Sequence, residues 1–100
     1  MRANRTDGNH QEIVKIFRKF GFTVLDISSL KNCCDIVVAK YHQTYMVEIK
    51  DGSRPPSQRQ LTAGEKKFRD TWKGNWRLIE SVSEALQLIN VVEEFYGKQK

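Results

Sequence analysis

Nowhere in the 100 residues does an apolar run approach the roughly 20 needed to cross a bilayer. The opening Met1-Arg2-Ala3-Asn4-Arg5 has no apolar stretch of the kind that directs secretion. A membrane partner is therefore not expected, and the chain should stay in the compartment that makes it. Cysteine is scarce, and its two copies, Cys33 and Cys34, are adjacent. Sequence neighbours rarely form a structural disulfide, so two reduced, half-buried thiols are expected and a disulfide framework is excluded. The two histidines, His10 and His42, lie far from each other and from the cysteines, in no spacing that zinc sites use. Any metal chemistry has to be sought among the carboxylates.

What is present is an ordinary globular mixture, 39% hydrophobic and 29% charged, which points to a packed core and away from disorder. A chain this short forms one domain, residues 1–100, because two separate cores would each be too small to offset their ordering entropy. Lys and Arg number 17 against 12 Asp and Glu, a net charge of +5. That balance suits a phosphate-rich partner, although the same charge also serves solubility alone.

Ile13, Ile16, Phe17 and Phe20 recur at helical spacing before Gly21, which predicts a first helix from about Asn9 to Phe20. Phe22–Ile27 alternates and is rich in strand formers. Asp35–Ala39 and Thr44–Lys50, joined through Tyr41-His42-Gln43, read as a hairpin of two central strands. Residues 51–60 hold Gly, paired Pro and Ser, and are expected to be an exposed basic loop without regular structure. Thr62 with Glu65 is a capping box for a second helix ending near Gly74, with Phe68 and Trp72 as its apolar face. Trp76–Glu80 is a fourth strand. Ser81 with Glu84 opens a third helix carrying Ala85, Leu88, Ile89 and Val92 and fraying into Gly97-Lys98-Gln99-Lys100. Phe68, Trp72 and Trp76 are expected to be core packing residues. The result is an α/β domain with a mixed four-stranded sheet flanked by helices, in the order α-β-β-β-α-β-α.

Side chains two apart on a strand share a face, so Glu48 and Lys50 project together while Val47 and Ile49 point the other way. Asp35 opens the preceding strand, and pairing through the turn near His42 brings it beside the strand end that bears Glu48 and Lys50. Two carboxylates then meet one ammonium group. A hard divalent ion takes one or two protein carboxylates and leaves room for water and a phosphate, and such an ion with a nearby lysine can hydrolyse a phosphodiester. On spacing alone, Glu48 and Lys50 also fit a solvated edge-strand face and Asp35 a turn. Arg54 and Arg59 flank the prolines and could grip phosphate, or belong to an ordinary solvated loop. Gln58 and Gln60 are further candidates for substrate contact.

An Asp opening an apolar strand, Glu-x-Lys ending the next, a preceding helix with a Glu and a following helix and strand together resemble the PD-(D/E)XK nuclease superfamily over nearly the whole chain. Arg5-x-Asp7-x-Asn9-x-x-Glu12-Ile13-Val14, Cys33-Cys34-Asp35, Tyr45-x-Val47-Glu48-Ile49-Lys50-Asp51-Gly52, Leu61-Thr62-x-x-Glu65 and Trp72-x-Gly74 look like small phage and prophage proteins related to Holliday junction resolvases. The resemblance implies a restriction-endonuclease-like core and a Mg²⁺-dependent endonuclease acting on branched or structured DNA in the cytoplasm of a bacterial or phage-infected cell. Within it, Asp35, Glu48 and the Ile49 carbonyl hold Mg²⁺, for which Mn²⁺ can substitute, and Lys50 stands beside the attacking water. Glu12 matches a supporting acid in the first helix, and it also fits a reciprocal cap with Asn9. Arg5 joins Arg54 and Arg59 as a DNA-binding candidate, with Asp7 and Asn9 as additional site candidates. Cys34 departs from the family's usual Pro before the Asp, which loosens the approach to that residue without removing the ligand. A homodimer would supply two symmetric sites. A protein that keeps this fold and binds nucleic acid without cutting it is the alternative.

Overall fold

The computed structural model describes residues 8–99. The chain runs through α1 (His10–Lys19), β1 (Thr23–Asp26), β2 (Ile36–Lys40), β3 (Gln43–Ile49), α2 (Ala63–Thr71), β4 (Asn75–Ile79) and α3 (Val82–Tyr96). The strands form one mixed sheet in the order β1-β2-β3-β4, antiparallel until the last step, where β4 runs parallel to β3. A parallel step needs a crossover, and residues 50–74 with α2 provide it. Between β2 and β3, Lys40 pairs with Gln43 and leaves a two-residue connection, Tyr41-His42. Both have positive φ, 55° and 65°, as a type I′ hairpin turn requires.

The periodicities place the core between the sheet and the α1/α3 pair. Ile13, Val14 and Phe17 of α1 and Ala85, Leu88, Ile89 and Val92 of α3 meet Ile36, Val38, Tyr45, Val47, Ile49 and Ile79 of the sheet, all buried. Phe17 touches Phe22 edge-on, with ring centroids 5.2 Å apart. Gly21 (φ +88°) makes the reversal after α1 and lets Phe22 enter that core.

Four expectations need correcting. Residues 51–60 are not wholly irregular: Pro56–Gln58 form a 3-10 turn, since Pro55 is extended and Pro56 sits at a first-turn position where a missing N–H costs nothing. At the other end, Gly97–Gln99 continue α3 as a 3-10 turn instead of fraying. The second helix stops at Thr71, short of Gly74, and buries none of its residues. Phe68 and Trp72 stack on each other at 5.4 Å, Trp72 stays 41% exposed and Trp76 is half-buried, so none of these aromatics belongs to the main core. The reason is topological: α2 starts on the sheet face opposite α1 and α3, where Glu65 meets Lys50, and no further layer covers that face among the described residues.

The fourth correction concerns Asn9. It stands at the N-terminus of α1 but makes no side-chain cap, so the reciprocal pair with Glu12 does not form. Its Nδ2 instead donates to the carbonyls of Lys50 and Glu80, both at 3.1 Å, and thereby ties the start of α1 to the ends of β3 and β4. Replacing Asn9 by Ala takes a donor from each carbonyl in a partly buried place, which should cost about 1–3 kcal/mol. A drop in the urea midpoint at unchanged slope is the expected result; an unchanged midpoint would mean that water serves both carbonyls equally well.

Candidate active site

The hairpin register builds the site. Ile36 pairs with Val47, so Asp35, one step before β2, stands opposite Glu48. Asp35 is fastened there twice: its N–H donates to the Val47 carbonyl at 3.0 Å and its Oδ2 accepts the Ile49 N–H at 2.7 Å. Alternation along β3 sends Val47 and Ile49 into the core and turns Glu48 and Lys50 to the other face, as expected. Lys50 Nζ lies 3.8 Å from Glu48 Oε2 and 3.1 Å from Glu65 Oε1. A cavity of about 80 Å³ opens beside the carboxylates, lined among others by Cys33, Cys34, Asp35, Glu48, Thr62 and Glu65.

The electrostatics of this cluster are unequal. Glu48 is 3% exposed. Burial above all, then the charges of Asp35 and Glu65, push its carboxyl up to about 10, against the opposing pull of Lys50. Glu65 moves the other way: burial raises it, but the Thr62 N–H and Lys50 outweigh burial and hold it below the usual range. Glu48 is thus a neutral acid at neutral pH, between carboxylates. Cys34 is buried with its thiol on the Ile36 carbonyl at 3.4 Å, and burial together with Cys33 raises its pKa, so both cysteines are free thiols as expected and Cys34 stays protonated.

The structure brings together Asp35, Glu48, Ile49 and Lys50, and adds Glu65, expected as a helix cap and as part of the Leu61-Thr62-x-x-Glu65 match but not as a site residue. Glu65 does cap α2: its Oε1 accepts the Thr62 N–H at 2.9 Å while its own N–H donates to Thr62 Oγ1 at 3.1 Å. The available signal was its place, a first-turn acid directly after the loop that leaves Lys50. Glu12 is not in this cavity. It is exposed on α1 and lines a separate cleft of about 820 Å³ with Asn9, Asp51, Arg59, Glu80 and Glu84. Arg59 donates to Glu80 Oε2 at 3.1 Å and to the Arg54 carbonyl at 2.7 Å, and Arg54 faces Asp51 at 3.6 Å and Gln58 at 3.3 Å. Gln60 donates to the Pro56 carbonyl at 3.1 Å, so these side chains knit their own loop. Arg5 and Asp7 lie outside the described residues. His10 is buried against Asp26 at 3.0 Å and His42 sits on the β2–β3 turn, so neither joins the carboxylates.

Among the described residues no three His, Cys, Asp or Glu side chains are already drawn into a set that would hold a metal ion. The donor chemistry nonetheless fits a hard cation. Asp35 and Glu48 offer oxygen ligands, and Mg²⁺ takes only one or two from the protein. Asp35 holds one oxygen on the Ile49 N–H, and the Glu48 carboxyl beside it is raised by burial and by the neighbouring acids, which a cation there would offset. No protein-family model, curated protein or solved structure matches this chain.

The raised Glu48 carboxyl has a consequence for stability. Between its ordinary value of 4.5 and about 10, the native state holds a proton that the unfolded chain has released. Stability contributed by the neutral acid is therefore fully present below that window and falls as pH rises through it, by at most about 1.4 kcal/mol per pH unit. Gln is the uncharged isostere. Thermal melts in chelator-containing buffer between about pH 5 and pH 9 should show Glu48→Gln melting higher than wild type, with a growing gap toward alkaline pH. Parallel pH profiles for the two proteins would show that Glu48 ionises freely.

Proposed function

We propose that the chain is a metal-dependent DNA endonuclease of the PD-(D/E)XK type, resolvase-like, that hydrolyses phosphodiesters in branched or structured DNA. The observation that carries this reading is the meeting of Asp35 and Glu48 at one small cavity near the end of β3, with Glu48 buried and the Lys50 ammonium 3.8 Å from it. Asp35 and Glu48 are the residues to hold Mg²⁺ or Mn²⁺, with the Ile49 carbonyl as an additional ligand. When bound, such an ion lowers the pKa of an attacking water and polarises the phosphoryl oxygen. Asp35 is oriented for its part by the Ile49 N–H, which fixes one carboxylate oxygen at the cavity wall. Lys50 contributes a cation beside the reacting phosphate, where it stabilises charge that develops in the transition state. The net charge of +5 supports a polyanionic partner. Action in the cytoplasm of a bacterial or phage-infected cell belongs to the same reading, and a homodimer would present two sites to the two strands of a junction. Among the described residues no helix is long and apolar enough to cross a membrane.

Purified protein should cut a four-way junction or another branched DNA with Mg²⁺ or Mn²⁺ and stop when the metal is chelated. Ca²⁺ should support binding with little cleavage, because its looser coordination positions water poorly. Asp35→Asn and Glu48→Gln should each abolish cutting while leaving the fold and DNA affinity largely in place. Lys50→Ala should slow cutting by about two orders of magnitude or more and retain metal binding. Tight binding with no cleavage of linear, single-stranded, flapped or branched DNA would make the chain a nucleic-acid-binding protein instead, and cutting that survives both carboxylate variants would remove Asp35 and Glu48 from the mechanism.

A further inference from the structure

A lysine side chain is a flexible four-carbon stem, so its ammonium goes where partners hold it. Lys50 lies just beyond β3, and the carboxylate nearest to its Nζ among the measured ion pairs is not Glu48 on its own strand, at 3.8 Å, but Glu65 on α2, at 3.1 Å. The side chains of this pair are only 14% and 22% exposed, which places the contact in surroundings where a charge-assisted hydrogen bond keeps its strength. Glu65 is itself fixed. The oxygen that meets Lys50 also accepts the Thr62 N–H, and the return bond to Thr62 Oγ1 closes the capping box. Next to it, Gly64 lies so close to Asn32 that a Cβ there would collide with the Asn32 side chain. The helix start is thereby seated on the loop that leads to Asp35.

We infer that Glu65 is a positioning residue for Lys50, using the rigid first turn of α2 to aim the ammonium at the cavity beside Asp35 and Glu48. This rests on the nuclease reading for its effect on rate, but the tether itself is a property of the protein without substrate. Because Glu65 acts through another side chain, its loss should resemble the loss of an outer partner of a metal or reaction centre, about 10- to 100-fold in activity.

Glu65→Gln is the informative variant, since Gln also serves at this capping position and α2 should persist, which circular dichroism and the melting temperature verify. Two measurements follow. In ¹H–¹⁵N spectra of the lysine ammonium groups of the metal-free protein, a protected signal that Lys50→Ala removes should be present in wild type and lost in Glu65→Gln. The Lys40 signal, held by Glu93, should stay in both. On branched DNA, Glu65→Gln should lower kcat about 10- to 100-fold with little change in KM, and should add no further loss in the Lys50→Ala background. A Lys50 signal that survives in Glu65→Gln overturns the tether. Unchanged kcat, or a loss additive with Lys50→Ala, overturns the positioning role and leaves Glu65 a helix cap. If wild-type protein cuts nothing, the nuclease reading fails by itself, and the ammonium signal still decides whether Glu65 holds Lys50.

Discussion

Val47 and Ile49 cannot enter the core without carrying Glu48 and Lys50 to the opposite face, because side chains alternate along a strand. Val47 and Ile49 are at most 1% exposed, packed in one cluster with Ile13, Phe17, Ile89 and Val92. A one-residue slip of β3 would drive the charged pair into the apolar core and turn the apolar pair to the other face, so the register is held by the whole apolar layer. The same register sets Asp35 against Glu48 and gives Asp35 its bond to the Ile49 N–H. Hydrophobic burial on one side of the sheet is therefore what forces two acids together on the other. The cost is visible in Glu48, which at neutral pH keeps its proton because it is buried among like charges. Groups held at such a cost are common at functional sites, where an arrangement is maintained by the surrounding packing.

The parts legible in the sequence are those with a local or periodic cause. The three helices and four strands follow from apolar periods of 3.6 and 2 and from caps, and the observed boundaries lie within about three residues of the expected ones. The Asp35, Glu48 and Lys50 grouping was legible too, since hairpin pairing and strand alternation fix it without further tertiary information. What escaped has a non-local cause. Thr62 and Glu65 satisfy a capping box completely, so nothing in that pattern announces that the Glu65 carboxylate also reaches Lys50, 15 residues earlier. Asn9 likewise has the identity of a cap, yet its amide goes to carbonyls 41 and 71 residues away. Phe68 and Trp72 have a helical spacing that signals a buried face, but the layer that would bury it is missing from that side of the sheet among the described residues.

The basic loop has internal contacts that its composition did not announce either. Arg54 and Arg59 flank the paired prolines as expected, yet each faces an acid of its own neighbourhood, Asp51 and Glu80. These contacts make the loop a folded unit around the Pro56–Gln58 turn. Arg59 in particular, with its side chain 26% exposed and hydrogen-bonded at two nitrogens, has a structural role independent of any ligand. On α2, by contrast, Lys66 and Lys67 are exposed directly after Glu65. Positive charge that faces solvent is therefore supplied by α2 as well as by the loop.

Lys50 is where these elements meet, and each grips a different part of it. Its N–H donates to the Ile79 carbonyl and so continues the β3–β4 ladder, while its carbonyl accepts from Asn9 at the start of α1. Its ammonium reaches Glu65 at the start of α2 and Glu48 on β3. The backbone of Lys50 thus meets Asn9, which lines the larger cleft with Glu12 and Glu80, whereas its ammonium meets Glu48 and Glu65, which line the small cavity with Asp35. Glu12 lines the larger cleft and not the small cavity, which places it on the Asn9 side of this residue. A single position fastened through backbone and side chain to α1, α2, β3 and β4 is also the position least able to move alone. On the proposed nuclease reading that fastening would suit Lys50, because an electrostatic contribution to catalysis is largest when the charge is in place before the reaction begins.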